Sequence, residues 1–262
     1  MAKTSAQKKL ARGVQQIKRL QREAKAFVSS EPYAFEIESE RRSPNEILYR
    51  CFAIERKAPP RNWSLLAGEA IQNVRSALDH AVWTAWRGVA TNTGDGNHTQ
   101  FPICDDQDSW KRKQWQLKGV PSPVRAVVKR AQPYERVPQA PTSASLANLR
   151  TLSNTDKHRT LATFASIVWF ETVGVSFGAT IDEWDVAVGK RLGKGKTPIS
   201  SFLATSGSGV LSEVNVKPSF AYNVGIEAMP LATLAQIAQV VFEILTEIET
   251  GARPHPFATY PL

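Results

Sequence analysis

Arg75, Asp79 and His80 place an anion clamp, a carboxylate and a titratable ring within six positions of one another. A guanidinium stays charged and offers paired donors, while an unperturbed imidazole titrates near pH ~6.5, so the set suits acid–base work on a phosphodiester. The three lie in GEAIQNVRSALDHAVW, residues 68–83. At about 100° per residue, Ile71, Val74, Leu78, Ala81 and Ala85 gather on one face of a helix, which must turn to the core. Glu69, Asn73, Ser76 and His80 gather on a narrow stripe nearly opposite. Arg75 and Asp79 lie between the two faces, one turn apart, where an i,i+4 ion pair forms naturally. Because the stripe carries shape-specific groups rather than interchangeable Lys and Glu, it is expected to face a cleft or another protein surface. The same groups would serve equally to satisfy hydrogen bonds from neighbouring loops.

A second cluster, Ser153-Asn-Thr-Asp-Lys-His-Arg159, follows the apolar Leu146, Leu149 and Leu152. On a helix Asn154 and His158 share one face, and Asp156 and Arg159 nearly share another. Lys157 and Arg159 beside His158 would favour neutral imidazole, the form a general base needs. At a helix C-terminus the same basic side chains would instead answer the helix dipole. The expected catalytic set is Arg75, His80 and His158. The expected binding set is Glu69, Asn73, Asp79, Asn154, Asp156, Lys157 and Arg159.

Arg75-Ser-Ala-Leu-Asp-His80 resembles the Arg-x4-His motif of HEPN-type proteins, a group of helical nucleotide-binding and RNase domains. The resemblance implies that His80 acts in acid–base chemistry and Arg75 stabilises charge on the scissile phosphate. It also implies a metal-independent site assembled across a homodimer, with the RNA 2′-hydroxyl as nucleophile. That family's core is all-helical, and on a straight helix Arg75 and His80 point about 140° apart. The pair RSALDH … NTDKHR also resembles a pattern in uncharacterised bacterial proteins of about this length, which implies no activity.

Other signals point to structure. Gly189-Lys-Arg-Leu-Gly-Lys-Gly-Lys-Thr197 lacks the glycine that a phosphate-binding loop needs where Lys190 stands, and reads as a basic loop. His98 and Cys104 do not make a zinc spacing, and Asp105, Asp106 and Asp108 read as a turn and helix cap. Trp83, Trp86, Trp110, Trp115 and Trp169 fall where packing explains them. No cofactor or metal is expected.

The elements that must position these residues follow from periodicity. Leu10, Val14, Ile17, Leu20, Ala24 and Phe27 make one stripe of an N-terminal helix. Strands are expected over 33–38 and 46–56, joined by the polar turn ESERRSPNE. A long helix is predicted over about 63–89, then short helices through Trp110 and Trp115 and over about 122–131. The Pro/Ser-rich connection PQAPTSAS leads to a helix over about 143–160. LATFASIVWF, TVGVSFGATI, WDVAVG, GVLSEVNV and FAYNVGIEA read as antiparallel strands between turns. A last helix, about 230–250, starts at Pro230 and stops at Gly251.

The fold class expected is α+β: one domain over 1–262, in which a helical layer with a long central helix packs on a mainly antiparallel sheet. Residues 1–28 form the basic N-terminal helix and 252–262 an irregular tail. The chain's composition, 42% apolar and 22% charged, is that of a globular protein. No uninterrupted apolar run approaches the roughly 18–20 residues of a membrane span, so no membrane partner is expected. Two cysteines outside any CxxC pair point to a reducing cytoplasm. Residues 1–28 carry eight basic side chains against one acidic, seven of the chain's nine net positive charges. Such a segment attracts RNA or a nucleotide by releasing counterions. Three functions stay open: a HEPN-like endoribonuclease with an RNA-processing, toxin or defence role, a non-catalytic nucleic-acid- or nucleotide-binding module, and a structural protein whose polar clusters lock helices together.

Overall fold

The computed structural model describes residues 2–135, 144–158, 161, 163–174, 179–187, 191–206, 215–224 and 229–253. The fold is α+β. Its helices are α1 (Ser5–Val28), α2 (Asn62–Arg87), α3 (Gln107–Lys113), α4 (Ser122–Arg130), α5 (Ser145–His158) and α6 (Leu231–Thr250). Its strands are β1 (Tyr33–Ser43), β2 (Glu46–Glu55), β3 (Thr163–Gly174), β4 (Ala179–Val186), β5 (Lys196–Ser206), β6 (Asn215–Val224) and β7 (Met229–Pro230). By its contacts the chain divides into two compact units, each made of separated segments. Residues 1–22, 62–161 and 231–262 form one, and residues 23–61 and 162–230 the other.

The first unit is helical. Its centre is α2, which buries Trp63, Leu66, Ile71, Val74, Leu78, Val82 and Trp86 and packs against α5 and α6. Each such large side chain contributes roughly 1.5–3 kcal/mol on leaving water. The stripe expected on α1 is buried throughout, Leu10, Val14, Ile17 and Leu20 belonging to this unit and Ala24 and Phe27 to the other. A capping box starts that helix: Thr4 Oγ1 accepts the Gln7 N–H at 3.1 Å, and Gln7 Oε1 accepts the Thr4 N–H at 3.2 Å. Both side chains also reach Glu249 near the end of α6. Gly13 lets α1 cross α2 closely, since a Cβ there would stand 2.7 Å from Val74 Cγ2.

Among the described residues α6 is the one helix long and apolar enough to cross a membrane by length and composition. It is a core helix here, with Leu234, Ile237, Ala238, Val240, Val241 and Leu245 all buried and Glu247 paired to Arg130 at 2.6 Å. Gly251, at φ +73, closes it as expected.

The second unit is built on strands, every pairing antiparallel. One sheet runs β1-β2-β5-β4 and the other β3-β6-β7. Two expectations are corrected. The segment ESERRSPNE was expected to be all turn, but β1 runs on to Ser43 and β2 resumes at Glu46. Among the described residues of 161–181, β3 runs on past Phe170 to Gly174 where a break between two strands was expected, and β4 starts at Ala179. The central strand β5 was missed, because Pro198 and three serines hide its alternation. Ile199, Phe202 and Ala204 are buried, and Phe202 stacks on Tyr49 of β2 at 5.2 Å. Burial pushes the Tyr33 hydroxyl up to about 12, with help from Glu55, and pushes the Cys51 thiol up to about 11.

Candidate functional site

Helix α2 holds Arg75 and Asp79 as the i,i+4 pair that their spacing predicts, with Arg75 Nη1 3.2 Å from Asp79 Oδ1. The pair is turned inward. Arg75 Nη2 donates to the Phe101 carbonyl at 2.7 Å, and Asp79 Oδ1 accepts the Phe101 N–H at 2.9 Å. Together the two side chains bind both polar groups of one residue's backbone. Burial lowers the Arg75 guanidinium against the pull of Asp79. Burial also raises the Asp79 carboxyl, opposed by Arg75, the Phe101 N–H, Lys157 and His80.

Gln132, which no sequence signal singled out, continues the same work on the next residues. Its amide oxygen accepts the Cys104 N–H at 2.9 Å, and its amide nitrogen donates to the Pro102 carbonyl at 3.0 Å. The segment 101–104 is thus fixed by side chains instead of a neighbouring strand, and all four of its residues are buried. A fully buried segment needs such partners.

The polar stripe of α2 faces α1. Gln16 Nε2 donates to Glu69 Oε2 at 2.6 Å, Asn73 Nδ2 donates to Gln16 Oε1 at 3.0 Å, and the Ser5 hydroxyl meets His80 Nδ1 at 2.5 Å. Arg75 and His80 therefore point to different neighbours, Arg75 to the 101–104 segment and His80 to the first turn of α1.

The second cluster approaches the first from α5. Asp156 sits over Gly68, where a Cβ would stand 2.9 Å from its Cγ, and its Oδ2 accepts the Gln72 amide at 3.2 Å. Lys157 is close enough to bias Asp79 electrostatically. Asn154 is exposed. The His158 side chain and all of Arg159 lie outside the described residues, so the expected Asp156–Arg159 pairing does too. Arg150 of the same helix pairs instead with Asp105.

Between these helices lies an open cleft of about 570 Å³. Lys9 and Arg12 line it from α1, Glu69 and Asn73 from α2, and Asp156 from α5. Its lining carries two cations and two carboxylates. Beside it Lys8, Arg12, Arg19 and Arg22 stand exposed at spacings of three, four and seven, a single basic stripe along α1.

Of the signals set aside, Asp106 caps α3 by accepting the Ser109 N–H at 2.6 Å. His98 is structural, bonded to the Lys118 carbonyl and edge-on to Trp86. Among the described residues no group of three His, Cys, Asp or Glu could hold a metal ion. Packing does not account for Trp115, which is 59% exposed.

Set against known proteins, the chain matches no family model, no curated protein and no solved structure.

Proposed function

We propose that this protein binds RNA or a nucleotide without cutting it, through the cleft between α1, α2 and α5 and the basic stripe beside it. The observation that carries this reading is the position of Lys9 and Arg12 on the cleft wall, opposite the polar groups of Glu69, Asn73 and Asp156. Phosphate would lie against the cations, and base or sugar donors against the carboxylates and amides. Arg75 supports binding over cleavage, because its guanidinium is turned inward, bonded to the Phe101 carbonyl and paired in charge with Asp79. The two buried cysteines, which form no disulfide, fit a reducing cytoplasm.

The test is fluorescence anisotropy of a labelled single-stranded RNA over a range of salt. Wild type is expected to bind with a steep salt dependence, Lys9→Gln/Arg12→Gln to bind roughly tenfold more weakly, and His80→Ala to bind as wild type. Absence of binding even at low salt would sink the reading.

A ribonuclease is the second reading. It is favoured by the placement of the Arg-x4-His helix in a unit whose described elements are helices and by the half-buried His80, whose Nδ1 is held by Ser5. Cleavage of mixed RNA in EDTA by wild type, but not by a folded Arg75→Ala/His80→Ala variant, would replace binding with catalysis. That reading also needs a second copy of the chain to supply the phosphate clamp.

A further inference from the structure

The segment 107–131 holds seven basic side chains, Lys111, Arg112, Lys113, Lys118, Arg125, Lys129 and Arg130, against the single acidic Asp108. Six of the seven are exposed, all but the half-buried Lys113. In their midst stands Trp115, on a 3-10 turn, residues 114–117, that continues α3. An indole left 59% exposed in this setting leaves a large apolar face in water. Its neighbours on the turn, Gln114 and Leu117, line a groove of about 340 Å³ together with Trp110, Ser122, Arg125 and Lys129. Three residues per turn put Gln114 and Leu117 on one side, with Trp115 about 120° round from them.

We propose that this groove and the exposed indole of Trp115, next in the chain to its lining residue Gln114, together form a separate site for single-stranded RNA, with a base stacked on Trp115 outside the groove and the adjoining phosphates held by Arg125 and Lys129. It shares with the reading above only the class of ligand, since α1 contributes nothing to it. Basic side chains interleaved with an exposed aromatic are the combination that such strands need, because every base has a stacking face and every linkage a charge. Arg125 is already oriented: its Nη2 donates to the Ser122 hydroxyl at 2.9 Å, which leaves further N–H donors of the fork for a phosphate. Gln114 and Ser122 add neutral hydrogen-bonding groups to the groove. A membrane surface is the other ligand a tryptophan among cations could take. It is disfavoured because an interfacial helix buries an apolar face in lipid. Here Val124, Val127 and Val128 of α4 are already buried in the protein, and Trp115 is the one exposed large hydrophobic side chain of residues 107–131.

The experiment compares full-length wild type with Trp115→Ala, Trp115→Phe, Arg125→Gln/Lys129→Gln and an α1 variant, Arg12→Gln/Arg19→Gln. A short oligouridylate and the matching oligothymidylate are titrated over a range of salt, and vesicles containing anionic lipid are tested in parallel. Trp115 is exposed, so its variants keep the fold, which circular dichroism checks. The expected result is that Trp115→Ala weakens oligouridylate binding about tenfold with an unchanged salt slope, and that Trp115→Phe restores most of the affinity. Arg125→Gln/Lys129→Gln should instead flatten the salt slope, by about 0.7 for each lost phosphate contact. If Trp115→Ala binds like wild type while the α1 variant does not, the groove is not a site and the α1 reading stands. If the α1 variant binds like wild type and Trp115→Ala does not, the groove stands and the α1 reading falls. Vesicle binding without RNA binding overturns both, and oligothymidylate bound as tightly as oligouridylate overturns the assignment of the site to RNA.

Discussion

Asp79 accepts the backbone N–H of Phe101 at 2.9 Å, and the opposite polar group of that residue, its carbonyl, is taken by Arg75. The i,i+4 pair on α2 is thus a fastening for the segment 101–104. Loss of either partner leaves the other charged and largely buried. Arg75→Ala should destabilise the helical unit by about 3 kcal/mol in urea unfolding. Arg75→Lys should recover little, because an ammonium cannot reproduce the fork that spans Asp79 and the Phe101 carbonyl. A wild-type unfolding curve for Arg75→Ala would show that the fastening carries no weight.

Two glycines should tolerate no side chain. Alanine is the better helix former by about 1 kcal/mol. Yet at Gly13 its Cβ would lie 2.7 Å from Val74 Cγ2 and 3.0 Å from the Ala70 carbonyl. Gly13→Ala is expected to cost a net of roughly 1–3 kcal/mol. Gly68→Ala should cost a similar amount by displacing Asp156. A double-mutant cycle with Asp156→Ala checks the mechanism, because coupling is expected at position 68 and additivity would disprove the contact.

The first turn of α1 is held by Thr4, Gln7 and the Ser5–His80 bond. Thr4→Ala should cost about 1 kcal/mol and speed hydrogen exchange in that turn. His80→Ala should act there too, and should not add fully to Ser5→Ala. Full additivity in thermal unfolding would mean that the hydroxyl and the imidazole do not interact.

Alkaline pH should unfold the strand unit through Tyr33 and Cys51. Both have folded-state values above their unfolded ones, near 12 and 11. Their neutral forms therefore stabilise the fold fully below the unfolded values of about 10 and 9, and this contribution is lost as pH rises through the folded values. Tyrosinate absorbance followed together with circular dichroism should show a buried fraction ionising only as the strands melt. Titration of all five tyrosines near pH ~10 in a folded protein would contradict this.

What could be read from the sequence was local. The stripes of α1 and α2 obey helical periodicity and are buried as that periodicity requires, Ala85 alone being half-buried, and the Arg75–Asp79 pair needs only i,i+4 spacing. The partner that gives the pair its meaning, Phe101, lies 22 residues beyond Asp79 in an irregular segment with no period. Gln132 was invisible for the same reason. β5 was lost because Pro198 and its serines lower apparent strand character, although pairing with β2 on one side and β4 on the other fixes it. The basic surface around Trp115 was masked by a charge count that lumped everything after residue 28 into a small remainder. A count over 107–131 alone would have exposed it.

The interleaved segments of the two units constrain how the chain folds during synthesis. The helical unit takes α6 from residues 231–250, after every strand of the other unit, β7 included, has been made. A nascent chain leaving the ribosome must therefore hold the apolar faces of α2 and α5 without their partner until that last helix emerges. The strand unit waits in the same way, with the β1–β2 hairpin lacking its neighbour β5 until that strand is translated, about 140 residues after β2. Chaperone dependence during expression, and aggregation of any chain cut before residue 231, follow from that order of delivery.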